Sequence, residues 1–343
     1  MLSNMTALAT PTAPAPPRWH RPLLVLAVAM AVLAVVCIVG VIADDRTLLG
    51  VAVWEKPLKF ALSTIIYAVT WSWLIGQLHR FRRAAWWAGT ISALMLLIEL
   101  AIIAGAAASG VTSHFNVSTP LHTTLWAVMA FSISALWIAT FLVSVILFRN
   151  SLGDRARALA IRSGAIIALV GMALAFLMTG PTAAQLDSWQ GVVGAHAVGV
   201  ADGGPGLPIL GWSTVAGDLR IPHFVGMHAL QAIPIALILI ELLSRRVPRL
   251  RDAVLRRRLV GIVAVSYAAV LAMLTWQALR GQSIVQPDAA TVAVAAAIGL
   301  VALLAVVIAV SSPATAPAGE ETARLSAAPA VPAGAGRGSE LSD

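Results

Sequence analysis

The chain has few charged residues and a single cysteine. Of its 343 residues, 11% are charged and 59% are hydrophobic, and the mean hydropathy is +0.88. This composition excludes a soluble domain and leaves a bundle of transmembrane helices. Cys37 stands alone, which excludes intramolecular disulfides and thiolate metal clusters. No stretch matches a catalytic or cofactor motif, and no His-x-x-x-His pair is present to form a zinc site on one helix.

Eight apolar runs are long enough to cross a bilayer, which takes roughly 20 residues each. They predict an all-α, polytopic transmembrane bundle of about eight spans within residues 22–311, and we expect a multi-pass cell-membrane protein of the bacterial inner membrane. The longest internal connection, residues 181–222, is rich in Gly and Pro and is predicted to be an extracytoplasmic loop. The predicted spans are Leu23–Ala43, Leu58–Leu78, Ala84–Ala108, Leu121–Phe148, Ala158–Gly180, His223–Leu243, Leu259–Leu279 and Ala289–Val310.

The Lys and Arg residues concentrate in alternate gaps between these runs. Short loops rich in these residues stay on the cytoplasmic side of a membrane. The basic gaps lie before the first run and after the second, fourth and sixth, so an even number of spans with both termini in the cytoplasm fits the pattern. The pI of about 11.1 reflects an excess of basic residues. The predicted topology and the attraction of basic loops to anionic lipid headgroups explain this excess. We therefore expect the lipid bilayer, not nucleic acid, as a partner.

The two ends of the sequence have the composition of disordered segments. Residues 1–21 contain an Ala, Thr and Pro stretch, and residues 312–343 are rich in Ala, Pro, Gly and Ser. Neither segment can bury enough apolar surface to offset the entropy of ordering, so both are predicted to be disordered cytoplasmic tails. Spans one to four and five to eight share the same predicted orientation. A parallel four-plus-four repeat is therefore a hypothesis, although the two halves have little residue identity.

Each helix that returns inward from the outer face is predicted to open on a proline. Proline at the first helical position loses only an N–H group that has no partner within the helix. The four prolines are Pro57, Pro120, Pro222 and Pro287, and Thr119 is the expected N-cap before Pro120. Four helix N-termini at one face would favour an anionic group there, especially beside the outer cations Lys56, Lys59, Arg220 and Arg280.

The outer halves of the spans also contain most of the polar side chains. Glu99 lies about 13 Å below the outer end of its span, at a rise of 1.5 Å per residue. An ionised carboxylate at that depth is costly unless it is paired or protonated. His122 lies at the start of the fourth span, and His228 lies in the sixth on the same helix face as Gln231. The inner halves are almost entirely apolar, so we predict a polar pocket that opens to the outside.

The residues expected in this pocket form two groups. In the first group, Glu99 is the expected buried acid and Arg220 the expected anchor for an anion. His122 and His228 are the expected ligands or proton carriers. The second group contains Lys59, His114, Asp218, Gln231 and Arg280. No catalytic residue is assigned.

Several functions are compatible with such a pocket. The first is binding of a small, anionic ligand for transport or sensing, with Glu99 as a proton-coupled gate. The second is membrane redox chemistry with a haem or a metal ion on His122 and His228. Eight spans with outer histidines resemble the architecture of haem A synthase, although the second and eighth spans here carry no histidine. The third is an intramembrane hydrolase. The structural alternative is that the polar groups only satisfy one another across helices, without a ligand.

Overall fold

The computed structural model describes residues 18–313, so the predicted tails lie almost entirely outside the described residues. Ten α-helices and four two-residue strands form in this range. The helices are α1 (Arg21–Ala43), α2 (Glu55–Gly76), α3 (Arg82–Ala108), α4 (Pro120–Phe148), α5 (Arg155–Ala173), α6 (Ala183–Asp187), α7 (Arg220–Met227), α8 (Ala229–Leu243), α9 (Ala253–Leu279) and α10 (Ala289–Ser311). The strands pair antiparallel, β1 (Thr47–Leu48) with β2 (Val51–Ala52) and β3 (Ala197–Val198) with β4 (Gly217–Asp218).

Seven helical segments are long and apolar enough to cross a membrane: α1, α2, α3, α4, α9, α10 and the segment that runs from α5 through α6. These segments make the chain a mostly helical, multi-pass membrane protein, as its composition predicts. The predicted eighth span is present only if α7 and α8 count as one crossing.

The helices pack as two groups that meet through α4 and α5. In the first group, α1 packs on α2, α3 on α4, and α2 on α3. In the second, α5 packs on α7, α8 and α9, while α10 packs on α9. One apolar cluster joins α1 to α5 and includes Leu23, Leu74 and Leu147, and a second joins α5, α8 and α9 around Ile233 and Val260. In each group the first helix packs on the second span and the third helix packs on the fourth. The four-plus-four repeat itself stays a prediction.

Polar contacts distinguish the two ends of the bundle. At the end where α2, α4 and α7 begin, Arg46 donates from Nη1 to the carbonyl of Ala108 at 2.9 Å, which joins the ends of α1 and α3. We call this the polar end. At the opposite end, where α1, α3, α5 and α9 begin, the amide of Asn150 donates to the carbonyl of Arg80 at 3.3 Å. We call this the arginine end, because most of the arginines lie there.

The prolines at the polar end lie near the helix starts, but only one lies at the first helical position. Pro120 is the first residue of α4, and the side chain of Thr119 caps this helix by accepting a hydrogen bond from the His122 N–H at 3.2 Å. Pro57 and Pro222 are third in α2 and α7, and Pro287 precedes α10. The predicted position was therefore wrong for three of the four. The first four N–H groups of any helix lack partners within it, so proline is tolerated throughout the first turn.

The sixth span is broken, which corrects its prediction as a continuous helix over His223–Leu243. The axes of α7 and α8 differ by 48°, and the break falls at His228. The α7 half lies against α5 because two glycines face each other at the contact. A Cβ added to Gly171 would lie 2.3 Å from the carbonyl carbon of Gly226, which is closer than atoms can approach. Small residues of this kind allow membrane helices to pack backbone to backbone.

Gly171→Val tests this contact. The added side chain has no room between α5 and α7, so we expect the free energy of unfolding to fall by at least the roughly 1–3 kcal/mol typical of overpacking. Thermal melting in detergent, followed by size-exclusion chromatography, measures the loss. Gly299→Val in α10 is the matched control, because a Cβ there meets nothing within 4 Å. Equal melting temperatures for the two variants would contradict the proposed packing.

Candidate functional site

One buried carboxylate fixes the long connection before α7 at the polar end. Asp218, in β4, is 1% exposed. The guanidinium of Arg220 donates to both of its oxygens, from Nε to Oδ1 at 2.9 Å and from Nη2 to Oδ2 at 2.5 Å. The backbone N–H groups of Ser213 and Arg220 also donate to this carboxylate, at 2.8 and 3.0 Å. The guanidinium donates further to the carbonyl of Gly211 at 2.6 Å, so the ion pair ties the connection to the start of α7.

Both lysines of the chain lie beside this ion pair. Lys56 and Lys59 are the only lysines in the sequence, and both belong to the first turns of α2. The ammonium group of Lys59 donates to the carbonyls of Ile209 and Leu210 at 2.8 and 3.0 Å. Lys59 therefore ties α2 to the same connection that Arg220 holds.

Lys56 differs from Lys59 because its ammonium group is not engaged. It is half-buried, and the described residues offer it no direct hydrogen-bond or ion-pair partner. It lies within electrostatic range of Glu99, Asp202, Arg220 and Lys59. A cation that is surrounded by charges but lacks a direct partner can bind an anionic group from outside the protein.

Glu99, in α3, lies next to His114 and within electrostatic range of Lys56. Glu99 is 4% exposed, and its Oε1 lies 3.7 Å from Nε2 of His114. Burial, and then the neighbouring Lys56, His196 and His223, lower the pKa of His114 well below its ordinary value. His114 is therefore uncharged at neutral pH and does not balance a carboxylate. Oε2 of Glu99 has no hydrogen-bond partner among the described residues, so this acid needs a proton, a ligand or the charge of Lys56.

Two further histidines are fixed in one tautomer. In the long connection, Nδ1 of His196 lies 2.6 Å from Oδ2 of Asp202. Burial opposes ionisation of Asp202, but hydrogen bonds from the His196 ring and from the N–H groups of His196 and Ala197 lower its pKa to about 2. In α7, Nδ1 of His223 donates to the carbonyl of Gly171 at 2.8 Å. Both rings carry a proton on Nδ1, so in the neutral form each Nε2 is an acceptor.

These groups interact with one another and form a single cluster, which we call the polar site. Its members come from α2, α3, α7 and two connections, and they are Lys56, Lys59, Glu99, His114, His196, Asp202, Asp218, Arg220 and His223. Most of these side chains are half-buried rather than fully packed. Five members were singled out in the sequence as pocket residues: Glu99, Arg220, Lys59, His114 and Asp218.

His228 and Gln231 lie deeper, at the break between α7 and α8. Nε2 of His228 lies 3.5 Å from Oγ of Ser63, and the amide of Gln231 donates to Oγ1 of Thr70 at 3.1 Å. Oε1 of Gln231 is buried without a partner among the described residues. These contacts join the bent helix to α2, below the polar site.

His122 and Arg280 contact residues outside the cluster. Nδ1 of His122 lies 3.1 Å from Oγ of Ser118 at the exposed start of α4. Arg280, after α9, pairs with Asp288 at 3.0 Å and lies over the ring of Trp276. The two histidines proposed as haem or metal ligands therefore have different surroundings. Among residues 18–313, no three His, Cys, Asp or Glu side chains come close enough to hold a metal ion.

Four members of the polar site were not assigned to the pocket from the sequence: Lys56, His196, Asp202 and His223. Lys56 is one residue before a proline that marks a helix start, and its sequence neighbours do not distinguish it from Lys59. His196 and Asp202 lie in a loop whose path depends on the β3–β4 pairing. Only the Gly-Asp-Leu-Arg-Ile-Pro-His sequence at 217–223, with its dense polar residues, could have indicated His223.

Two cavities of the structure lie away from the polar site. The larger, about 1150 Å³, lies at the arginine end between α1 and α3. The other, about 630 Å³, lies between α9 and α10.

Compared with known proteins, the chain matches no family model, no curated protein and no solved structure. Its function therefore has to be inferred from the geometry of the polar site.

Asp218→Ala tests whether the buried ion pair organises this region. The substitution leaves the Arg220 guanidinium and the Ser213 N–H group without their acceptor, so we expect the free energy of unfolding to fall by about 3–5 kcal/mol. Asp187→Ala, at an exposed position of the same connection, should change it by less than about 0.5 kcal/mol. Thermal melting in detergent and limited proteolysis of the connection measure both effects. A fully stable Asp218→Ala variant with an intact connection would disprove the role of the pair.

Proposed function

We propose that this protein binds a small anionic ligand at the polar site, for transport or sensing. The proposal includes a location in the cell membrane with both termini in the cytoplasm, so that the polar end faces outward. The arginines at the opposite end support this orientation, because basic loops stay in the cytoplasm. The common order of helix packing in the two halves supports a parallel four-plus-four repeat as the basis of the architecture.

The observation that carries the proposal is the unengaged ammonium group of Lys56. Its neighbours Lys59 and Arg220 already donate to carbonyls and to Asp218. Arg220, expected as the anion anchor, thus holds the scaffold of the site, and in our proposal Lys56 contacts the ligand. Carboxylate, phosphate and similar oxyanions suit an ammonium donor in a partly desolvated site. The half-buried imidazoles of His114 and His196 supply further polar surface for a small ligand.

Glu99 gives the proposed site a means of proton coupling. An ionised Glu99 and an anionic ligand compete for the positive charge of Lys56, whereas a protonated Glu99 leaves that charge to the ligand. We therefore expect the anion to bind more tightly as the pH falls. The other titratable or charged groups around this pair are Lys59, His114, His196, Asp202, Asp218, Arg220 and His223.

The test is the thermal stability of the detergent-purified chain in sodium acetate, phosphate and nitrate at constant ionic strength. Binding to the folded state raises the melting temperature saturably. We expect at least one anion to do so for the wild type. In Lys56→Gln its affinity should fall at least about tenfold, the effect of losing a charged hydrogen bond. Glu99→Gln should retain binding and lose the increase in affinity at lower pH.

Arg280→Gln is the matched control for the anion experiment, because it removes a cation from the polar end outside the polar site. Its anion affinity should equal that of the wild type. Equal affinity in the Lys56→Gln variant would rule out Lys56 as the ligand-binding cation. No saturable shift with any of the three anions would favour the structural alternative, in which the polar groups serve only one another.

A haem or metal group held by two histidines is the second candidate, and the tautomers of His196 and His223 favour it. Each ring donates from Nδ1 and keeps Nε2 as an acceptor, which is the arrangement in which histidine ligates metals. An oxidised and a dithionite-reduced visible spectrum, with elemental analysis of the same sample, tests this candidate. A Soret band that weakens in His196→Ala and His223→Ala, but not in His79→Ala, would support it. A colourless, metal-free sample would exclude it and leave the anion site.

A further inference from the structure

The large cleft at the arginine end has a composition unlike that of the polar site. It lies between the start of α1, the end of α2 and the start of α3, and its volume is about 1150 Å³. Four arginines line it, Arg18, Arg21, Arg82 and Arg83, and its lining includes no acidic residue. Within residues 18–313, none of the four side chains has a hydrogen bond or an ion pair. The cleft therefore concentrates positive charge that the described part of the protein does not neutralise.

Hydrogen bonds fix the segment before α1 against α2 and α3. The backbone on this side of the cleft therefore has a defined position. The N–H of His20 donates to the carbonyl of Ser72 at 3.2 Å, and Oγ of Ser72 donates to the carbonyl of His20 at 3.0 Å. The His20 ring, 2% exposed, donates from Nε2 to the carbonyl of Trp86 at 2.9 Å. Gly76 permits the close approach, because a Cβ there would lie 2.6 Å from the carbonyl oxygen of Arg18.

The remaining surface of the cleft is apolar. Leu24, Val25 and Ile75 line it beside the arginines, together with Trp19 and Trp86. The two tryptophans are each 41% exposed, as in the aromatic belts at membrane interfaces. From the cleft, an exposed valine stripe continues along one face of α1. Its members follow helical spacing and are 58–69% exposed: Val25, Val28, Val32, Val35 and Val39.

We propose that this cleft binds one anionic phospholipid, with its phosphodiester headgroup among the four arginines and an acyl chain along the valine stripe of α1. Guanidinium groups bind phosphate oxygens through paired N–H donors, and basic pockets between membrane helices recognise lipid headgroups. The volume exceeds the roughly 300–1,000 Å³ typical of sites for drug-sized molecules, which suits a lipid better than a free anion. The site is independent of the ligand proposed for the polar end.

The test is native mass spectrometry of the delipidated full chain in a neutral detergent. Dioleoyl phosphatidylglycerol is compared with dioleoyl phosphatidylcholine, which has the same chains and no net charge, and with glycerophosphoglycerol and inorganic phosphate, which have no chains. We expect phosphatidylglycerol to bind at least about tenfold more tightly than each of the others. Equal binding of the two lipids, or equal binding of phosphate and phosphatidylglycerol, would overturn the proposal.

Variants locate the binding. In R82Q/R83Q the affinity for phosphatidylglycerol should fall about 30-fold, because each basic residue near an anionic headgroup raises the affinity by a factor of about five. R18Q/R21Q, on the other side of the cleft, should show a similar loss. Agreement between the two variants would show that the loss does not come from misfolding of one of them. The matched control is R245Q/R246Q, two adjacent exposed arginines after α8 outside the cleft. An equal loss in this control would mean general charge attraction, and unchanged binding in both cleft variants would exclude the site.

Discussion

The buried carboxylate of Asp218 is the interaction on which the polar end of the molecule depends. It accepts hydrogen bonds from the guanidinium of Arg220 and from two backbone N–H groups, and it lies in the strand that pairs with the residues after His196. A carboxylate that is 1% exposed is tolerated only when its lone pairs are occupied in this way. With the connection fixed, the backbone carbonyls that receive Lys59 are in place, and Lys56 is left without a direct partner.

The close contact of α5 with α7 determines the position of His223. Gly171 and Gly226 bring the two backbones together, and the carbonyl of Gly171 accepts the proton of His223 Nδ1. The chain then turns by 48° at His228 before it continues as α8. In a membrane, non-helical backbone is tolerated where protein surrounds it or where it lines a cavity. Protein surrounds this break, because α5 packs on both α7 and α8 and Oγ of Ser63 in α2 lies 3.5 Å from Nε2 of His228.

The sequence predicted those features that arise from local composition. Long apolar runs determine the spans, and the N-cap at Thr119 follows from a short polar side chain before a proline. The depth predicted for Glu99 follows from its distance to the helix end, and the residue is 4% exposed in the bundle. The break at His228 was missed, because no proline or glycine occupies the residue itself and the glycine contact with α5 is a tertiary feature.

The membership of the polar site was harder to predict, because it depends on where a long loop returns. His196 and Asp202 reach the site through the pairing of two-residue strands, a contact that has no periodic signal in the sequence. His122 and Arg280 have suitable chemistry at suitable depths, but helix position alone does not specify which neighbours a side chain meets. Their contacts are with Ser118 and with Asp288 and Trp276. Depth in a span can thus be read from a sequence, whereas direction within the bundle requires the tertiary structure.

The distribution of polar groups along the bundle bears on the choice between transport and sensing. Below the polar site, hydrogen bonds link Tyr67 to Thr140 at 2.7 Å and Gln231 to Thr70 at 3.1 Å. Toward the arginine end the core becomes apolar, and Leu74, Leu78 and Leu147 are at most 1% exposed. Among residues 18–313, the buried hydroxyls of Ser72 and Ser144 in that layer already donate to backbone carbonyls. An anion would therefore lose its hydration there without a free donor to replace it, and crossing requires a rearrangement. Transport would therefore require the inner helices to separate. The α7–α8 pair is already bent, so the angle between its two helices can change without breaking a continuous helix. A sensor needs no such separation, since a change at the polar site that alters this angle is sufficient.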